Sequence, residues 1–323
     1  MFIKSVFLRT AATVITLVML LFAGGGASEE YDVRDSENCR FNFTVLSDAH
    51  IEGNNFARYK VFARSLQNVE KNKNGNGAVV FLGDSTMNGQ NIENLLFHGA
   101  VSMLLRGENV LPVPGNHDIG NGSGDYETLQ SRWYDYTYAF FDLPLEHPYY
   151  YEVIDGYVFI VLGMESQTVN EMYMSDEQFE WLEGVLEEAA QSGKPAFIFS
   201  HYPTDYVVDA QGSETSRLTD ILAKYNEEHD IFSFVGHTHM PLYLFWSFHN
   251  SDGFPEIYLP RLTQLAGDDN EIYKESGIGI EVEIYENEVY VRGRDFYNGE
   301  WRYDTVDEKP CEMTYNLKNP VKQ

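Results

Sequence analysis

The chain has 323 residues, with 22 Lys and Arg against 50 Asp and Glu, a formal charge of −28. So acidic a surface repels polyanions and anionic lipids at long range, which argues against a nucleic-acid polymer or a membrane face as partner and for a small soluble substrate. With 43% hydrophobic and 15% aromatic residues it can bury a sizeable core, and residues 28–323 are expected to form one large α/β domain.

Residues 1–27 read as a secretory leader. Lys4 and Arg9 precede an apolar run over 11–23, and Gly25-Gly26-Ala27 sets small residues at the −3 and −1 positions of a cut after Ala27. The competing reading is an uncleaved membrane anchor, but the stretch 11–27 is short for a span that needs about 20 residues. The mature protein is therefore expected to start near Ser28, to be secreted or extracytoplasmic, and to keep no stable membrane association. The two cysteines, Cys39 and Cys311, are expected to pair in that compartment.

Residues 41–46 predict a first buried strand running into Asp48. Tyr59, Phe62, Leu66 and Val69 recur at helical spacing, 78–82 is a second strand ending at Gly83-Asp84, and Ile92, Leu95, Leu96 and Leu104 mark a second helix. Residues 110–113 then run into Gly115-Asn116. This β-α-β-α-β order predicts a parallel sheet with its loop ends on one rim. Residues 119–148 show no clear period and are expected to form a long insertion. Asp155-Gly156 marks a hairpin, and Ser175 to Gln178 a capping box before a helix through Phe179, Leu182, Val185, Leu186 and Ala189. Strands at 195–199 and 231–235 lead to His201 and to His237 and His239, with a helix through Leu218, Ile221, Leu222 and Tyr225 between them. Beyond these, candidate strands near 242–247, 256–260, 278–285 and 288–294 are expected to complete a second sheet.

Five short polar signatures stand at the ends of these strands: Asp48-Ala49-His50, Gly83-Asp84, Gly115-Asn116-His117-Asp118, Ser200-His201 and Gly236-His237-Thr238-His239. In an extended segment residues i and i+2 face the same way, so Asp48 and His50 can grip one ion. Asp84 can bridge two ions with its two oxygens. Mixed oxygen and imidazole donors suit Zn, Mn or Fe and do not choose among them. His98, His147, His229 and His249 match no motif and read as ordinary surface or core histidines.

In order and spacing these signatures resemble the calcineurin-like metallophosphoesterases. The resemblance implies a four-layer α/β/β/α sandwich of two mixed β-sheets flanked by helices, with a dinuclear metal site at the strand ends. It implies that one ion takes Asp48, His50, Asp84 and His239, and the other Asp84, Asn116, His201 and His237. It further implies a phosphatase or phosphodiesterase acting on small phosphomonoesters or phosphodiesters, such as nucleotides. Two close cations can acidify a shared water from a pKa of 15.7 towards about 7, the nucleophile such a reaction needs. His117, spared from coordination, would protonate the leaving group or steady the phosphoryl charge, and Asp118 would orient it. Met87 stands where purple acid phosphatases carry a Tyr, and the Arg of the protein Ser/Thr phosphatases is absent. The alternative is a metal-stabilised binding protein without turnover, which has no evident need of His117.

Overall fold

The computed structural model describes residues 9–18, 29–120, 124–243, 247–249, 252–265, 276–304 and 308–321. β1 (Phe41–Leu46), α1 (Phe56–Val69), β2 (Ala78–Leu82), α2 (Asn91–Leu104) and β3 (Asn109–Val113) form the expected β-α-β-α-β run. Its strands are parallel, with Val45 opposite Val80 and Val80 opposite Leu111. Asn55 caps α1 by accepting from Arg58 N at 3.2 Å, and the helix buries Tyr59, Phe62, Leu66 and Val69 as its period requires.

A π-turn (Asn116–Gly120) follows β3. The segment expected to be an irregular insertion then carries a 16-residue helix, α3 (Tyr126–Phe141). Asp125 caps it, accepting from Thr128 N at 2.8 Å, and Leu129, Trp133, Tyr136 and Phe140 are buried at helical spacing. Aromatic residues have modest helix propensity, so packing, not local preference, decides this element.

β4 (Tyr150–Ile154) and β5 (Tyr157–Val161) make the expected hairpin, with Asp155 and Gly156 both at positive φ. The chain continues through β6 (Met172–Tyr173), α4 (Asp176–Ser192), β7 (Ala196–Ser200), a 3-10 turn (Thr204–Tyr206), β8 (Val207–Val208), α5 (Arg217–Asn226) and β9 (Ile231–Val235). It ends with β10 (Phe248–His249), β11 (Glu256–Tyr258), β12 (Ile278–Ile284), β13 (Glu288–Asp295), β14 (Glu300–Trp301) and β15 (Glu312–Asn316). Only half of the box at α4 forms. Gln178 N donates to Ser175 Oγ at 3.2 Å, while the Gln178 amide group bonds both backbone groups of Gly163.

Among the described residues one large sheet has the order β14-β13-β12-β1-β2-β3, with β15 against β13, a second large sheet the order β10-β11-β9-β7-β5-β4, and β6 and β8 pair as a small separate sheet. The late strands thus divide: β10 and β11 complete the second sheet, but β12 to β15 extend the first, because β12 pairs antiparallel with β1. The strand expected at 242–247 is not seen at Leu242 and Tyr243, and 244–246 lie outside the described residues.

The two sheets pack face to face around Phe43, whose ring meets Phe159 at 5.1 Å and Phe197 at 4.9 Å edge-on. The opposite face of the first sheet is covered by α1 and α2 and that of the second by α4 and α5, which gives the four-layer sandwich. Past β1 no helix is needed over the first sheet, since Arg294 stacks over Tyr31 at 3.5 Å and Arg292 over Trp301 at 4.0 Å.

Cys39 and Cys311 are not bonded to each other, contrary to expectation. Cys39 precedes Arg40, whose N–H pairs with Ile284 at the end of β12, and Cys311 pairs with Gly293 on β13. β12 and β13 therefore lie between them, farther than a disulfide can reach. Burial pushes the Cys39 thiol up to about 11. Residues 9–18 are helical, with Ala12 and Thr16 buried and Ala12 against Gly99 of α2. The cut expected after Ala27 lies outside the described residues. No described helix is long and apolar enough to cross a membrane.

Candidate metal centre

All seven expected ligands stand on one rim. Asp48 and His50 follow β1, Asp84 follows β2 and Asn116 follows β3, while His201 follows β7 and His237 and His239 follow β9. The loops are tied to each other by backbone bonds: Asp48 N to Gly83 O at 3.2 Å, His50 N to Asp84 O at 2.7 Å, and Gly236 N to His201 O at 3.0 Å.

Two groups of donor atoms result, Asp48, His50, Asp84 and His239 in one and Asp84, His201 and His237 in the other, each with its atoms within 4.8 Å of one another. Asp84 belongs to both. His239 Nε2 lies 3.0 Å from Asp48 Oδ1 and 3.1 Å from His50 Nε2. Asn116 Oδ1 lies 3.1 Å from both His201 Nε2 and His237 Nδ1, which places the amide in the second group. His201 Nδ1 donates to Leu82 O at 2.7 Å, and this turns Nε2 inward.

Local backbone conformation has the same focus. Of the eight described non-glycine residues at positive φ, five are candidate ligands: Asp48, His50, Asp84, His237 and His239. Such conformations cost of order 1–3 kcal/mol each and persist where the surroundings over-determine them. A Cβ at Gly236 would stand 2.2 Å from Ser47 Oγ and 2.8 Å from Asp48 Oδ2, so the GHxH signature needs its glycine for close approach.

The charge state fits divalent ions. Burial opposes the Asp48 charge, but His239 and His50 hold its carboxyl well below the usual range. Burial works against Asp84 as well, and His201 more than offsets it. Burial pushes His50 down to about 3, and burial with the His201 charge takes His237 to about 4, so both imidazoles are neutral donors. His201 goes the other way: burial disfavours its charge, yet Asp84 and Asp48 raise it to about 9. The two carboxylates thus draw a proton onto a ligand position, as a site short of positive charge does. Residues of these types in these groups can hold two ions.

His117 stands beside these groups, its ring centroid 4.8 Å from that of His50. Its backbone N–H donates to Asp84 Oδ1 at 2.8 Å, and its ring Nδ1 donates to Met87 O at 2.7 Å. Asp118 does not meet it. The buried Asp118 carboxylate accepts instead from Ser85 N, Thr86 N, Thr86 Oγ1 and Gly115 N, at 3.2, 2.8, 2.7 and 3.0 Å. Burial, then the Asp84 charge, pushes it up to about 6. The expectation that Asp118 orients His117 is corrected: the tautomer is set by the Met87 carbonyl, which no side-chain pattern reveals. Sequence reasoning also missed Ser47, whose hydroxyl donates to Asp48 Oδ2. His98, by contrast, is the core histidine expected, buried between α2 and α3.

Comparison with known proteins agrees with this geometry. A family profile described as calcineurin-like phosphoesterase matches residues 41–241. A probable glycerophosphodiester phosphodiesterase of Arcobacter nitrofigilis is 27% identical over 216 residues, 62% of this chain and 73% of that protein. A dimetal phosphatase of Danio rerio is similar in structure, with a TM-score of 0.55 at 15% identity over 87% of this chain and all of the other. A purple acid phosphatase from yellow lupin, Lupinus luteus, gives a TM-score of 0.57 at 16% identity over 85% of this chain and 53% of the other. At such identities the solved structures bear on the fold alone. Since the profile spans more than half of its length and takes in every signature of the rim, the chain belongs to the calcineurin-like phosphoesterase family, hydrolases of phosphoric esters.

Proposed function

We propose that the chain is a dinuclear metal-dependent phosphoesterase acting on small phosphomonoesters or phosphodiesters. The observation that carries this reading is the sharing of Asp84 between two donor groups, one completed by Asp48, His50 and His239, the other by His201, His237 and Asn116. When bound, two such ions supply Lewis acidity at the phosphoryl oxygens and a water acidic enough to attack at neutral pH.

The chain's own residues do the rest. Asp48 and Asp84 neutralise the ions and leave a site that still attracts an anionic ester. With Nδ1 committed to Met87 O, His117 presents Nε2 to the site, where its protonated form donates to the leaving oxygen as the P–O bond breaks. Ser47 holds Asp48, and Asp118 holds the 84–86 loop, so neither ligand has to reorganise during the reaction.

The related glycerophosphodiesterase, at 27% identity, supports including diesters among the substrates. The basic and apolar start of the chain supports secretion with removal of residues 1–27, which the mass of the secreted protein decides. The test of function is a panel of p-nitrophenyl phosphate, bis-p-nitrophenyl phosphate and nucleotides, each with Mn, Zn, Fe and Mg. Turnover with at least one ion is expected; none with any ion would favour a metal-stabilised binding protein.

A further inference from the structure

β4 ends its sheet on one side, and its outer edge is unguarded. The Asp155-Gly156 turn is two residues long, so Ile154 and Tyr157 form a hydrogen-bonded pair and the pairing alternates from there. The N–H and C=O of Tyr151 and Val153 therefore point away from β5, and no described residue bonds to them. Exposed edges normally carry a Lys, a Pro or a bulge that stops another strand from adding. Tyr150–Ile154 has none of these, and its register with β5 runs unbroken.

The two faces beside this edge differ in chemistry. On the outer face Tyr151 and Val153 are 38% and 57% exposed, and the half-buried Trp181 of α4 lies by Tyr151 with ring centroids 6.3 Å apart. On the inner face Glu152 and Ile154 line a cavity of about 500 Å³ between β4 and β3, the edge strand of the other large sheet, with Phe140, Leu143 and Glu108 on its wall. Glu108 Oε2 is buried without a hydrogen-bond partner. Burial pushes Glu108 up to about 7 and raises Glu152 as well, so a cation brought into the cavity would restore the charge that burial suppresses. Arg106, also on the wall, is exposed and turns its Nε to Met103 O. Beside the outer face, α4 carries Glu177, Glu180, Glu183, Glu187 and Glu188 and no Lys or Arg, and Glu188 accepts from the Tyr151 hydroxyl at 3.4 Å.

We propose that β4 is a docking edge for an extended segment of a partner protein in which basic residues alternate with aliphatic or aromatic ones. Strand addition pairs the segment's backbone with Tyr151 and Val153 and sets its apolar residues beside those two side chains and Trp181. The alternate Lys or Arg enters the cavity, its stem against Phe140 and Leu143 and its charge at Glu152 and Glu108. A second copy of this chain does not fit the edge, because two chains of charge −28 repel and antiparallel pairing centred on Glu152 would set that carboxyl against its own copy. The cavity touches β3 at Asn109 to Leu111, the end of the strand opposite Asn116, so docking leaves the metal centre open.

The probe is the synthetic peptide Gly-Lys-Val-Lys-Val-Lys-Gly, set against Gly-Lys-Lys-Lys-Val-Val-Gly, which has the same composition without the alternation. Binding to the full chain is followed by calorimetry and by hydrogen exchange at the Tyr151 and Val153 amides. The alternating peptide should bind about ten-fold more tightly than the other and slow exchange at both amides. Val153→Pro removes an N–H that β5 does not use, so the melting temperature should hold while binding of the alternating peptide falls about ten-fold. On the unaltered chain, N-methylation of both valines of the peptide should cost a similar factor, which keeps the test independent of how the variant folds. The proposal is overturned if the two peptides bind alike, which leaves charge attraction only, or if neither binds. It is equally overturned if Val153→Pro and N-methylation leave binding unchanged, or if sedimentation shows a wild-type dimer that Val153→Pro splits, since the edge then belongs to a second copy.

Discussion

Gly115 passes so close to Asp84 that a Cβ on it would stand 2.2 Å from Asp84 N and 2.3 Å from Asp84 Oδ1. Neither atom is the end of a flexible chain, since the carboxylate is fully buried and shared by both donor groups. Gly115→Ala should therefore displace Asp84, weaken both metal positions together and lower kcat/KM by about 10²-fold even at saturating metal, as a misplacement near 1 Å does. Elemental analysis beside kinetics decides this; two ions per chain with full activity would mean that the loop moves aside at no cost.

His117 should matter for turnover and little for metal content. Its Nδ1 is taken by Met87 O, and the two donor groups do not include it. His117→Ala should slow esters with poor leaving groups by about 10² to 10⁴ and p-nitrophenyl esters far less, since p-nitrophenolate departs without a proton. Equal losses on both would assign His117 to holding phosphoryl oxygens.

Asp118 should be a stability residue. Its Oδ1 accepts from Thr86 N and Oγ1, and its Oδ2 from Ser85 N and Gly115 N. An amide can accept on only one side, so Asp118→Asn turns an NH2 group towards buried donors, at a cost of about 1–3 kcal/mol. A urea midpoint lowered accordingly is expected. Normal stability with a collapse in kcat would restore the view that Asp118 acts on His117.

These three residues also show what could be read without coordinates. Asp84, Asn116 and the four ligand imidazoles were legible because metal chemistry restricts residue type and strands deliver such residues at their ends. The glycines were legible as motif letters but not as close contacts, which need the neighbouring loop. Asp118 was misassigned because adjacency in sequence suggested a partner, whereas the π-turn sends its side chain back to Ser85 and Thr86. α3 stayed hidden since Leu129, Trp133, Tyr136 and Phe140 keep helical spacing amid tyrosines and flanking glycines that argue for a loop. The division of the late strands between two sheets was not legible at all. Strand pairing is a long-range choice, and β12 finds β1 across more than 230 residues of chain.

Glu281 offers a pH test away from the metals. It is fully buried on β12, where Tyr31 and Thr44 donate to it, Arg294 lies near and Glu283 adds like charge. Burial raises it from 4.5 to about 7. The folded chain thus binds this proton more tightly than the unfolded one, so stability falls as pH rises from about 4.5 to about 7 and stays lowered above, by of order 3 kcal/mol for this group. Glu281→Gln should remove that component. Urea melts at pH 5 and pH 8, with metal held saturating, should show a smaller loss in the variant; parallel losses would contradict the assignment.

The ligands do not come from one wall. Asp48, His50, Asp84 and Asn116 rise from the first sheet, His201, His237 and His239 from the second, and the core between the two sheets is mainly hydrocarbon and aromatic, with the Tyr150 hydroxyl donating across it to Pro112 O at 3.0 Å. Ions at the rim would act as a clasp joining the two halves of the sandwich, so the melting temperature should climb with free metal concentration as mass action requires. The chain would then reach full rigidity only where metal is plentiful, and its resistance to proteolysis would report the supply of the ion as directly as its activity.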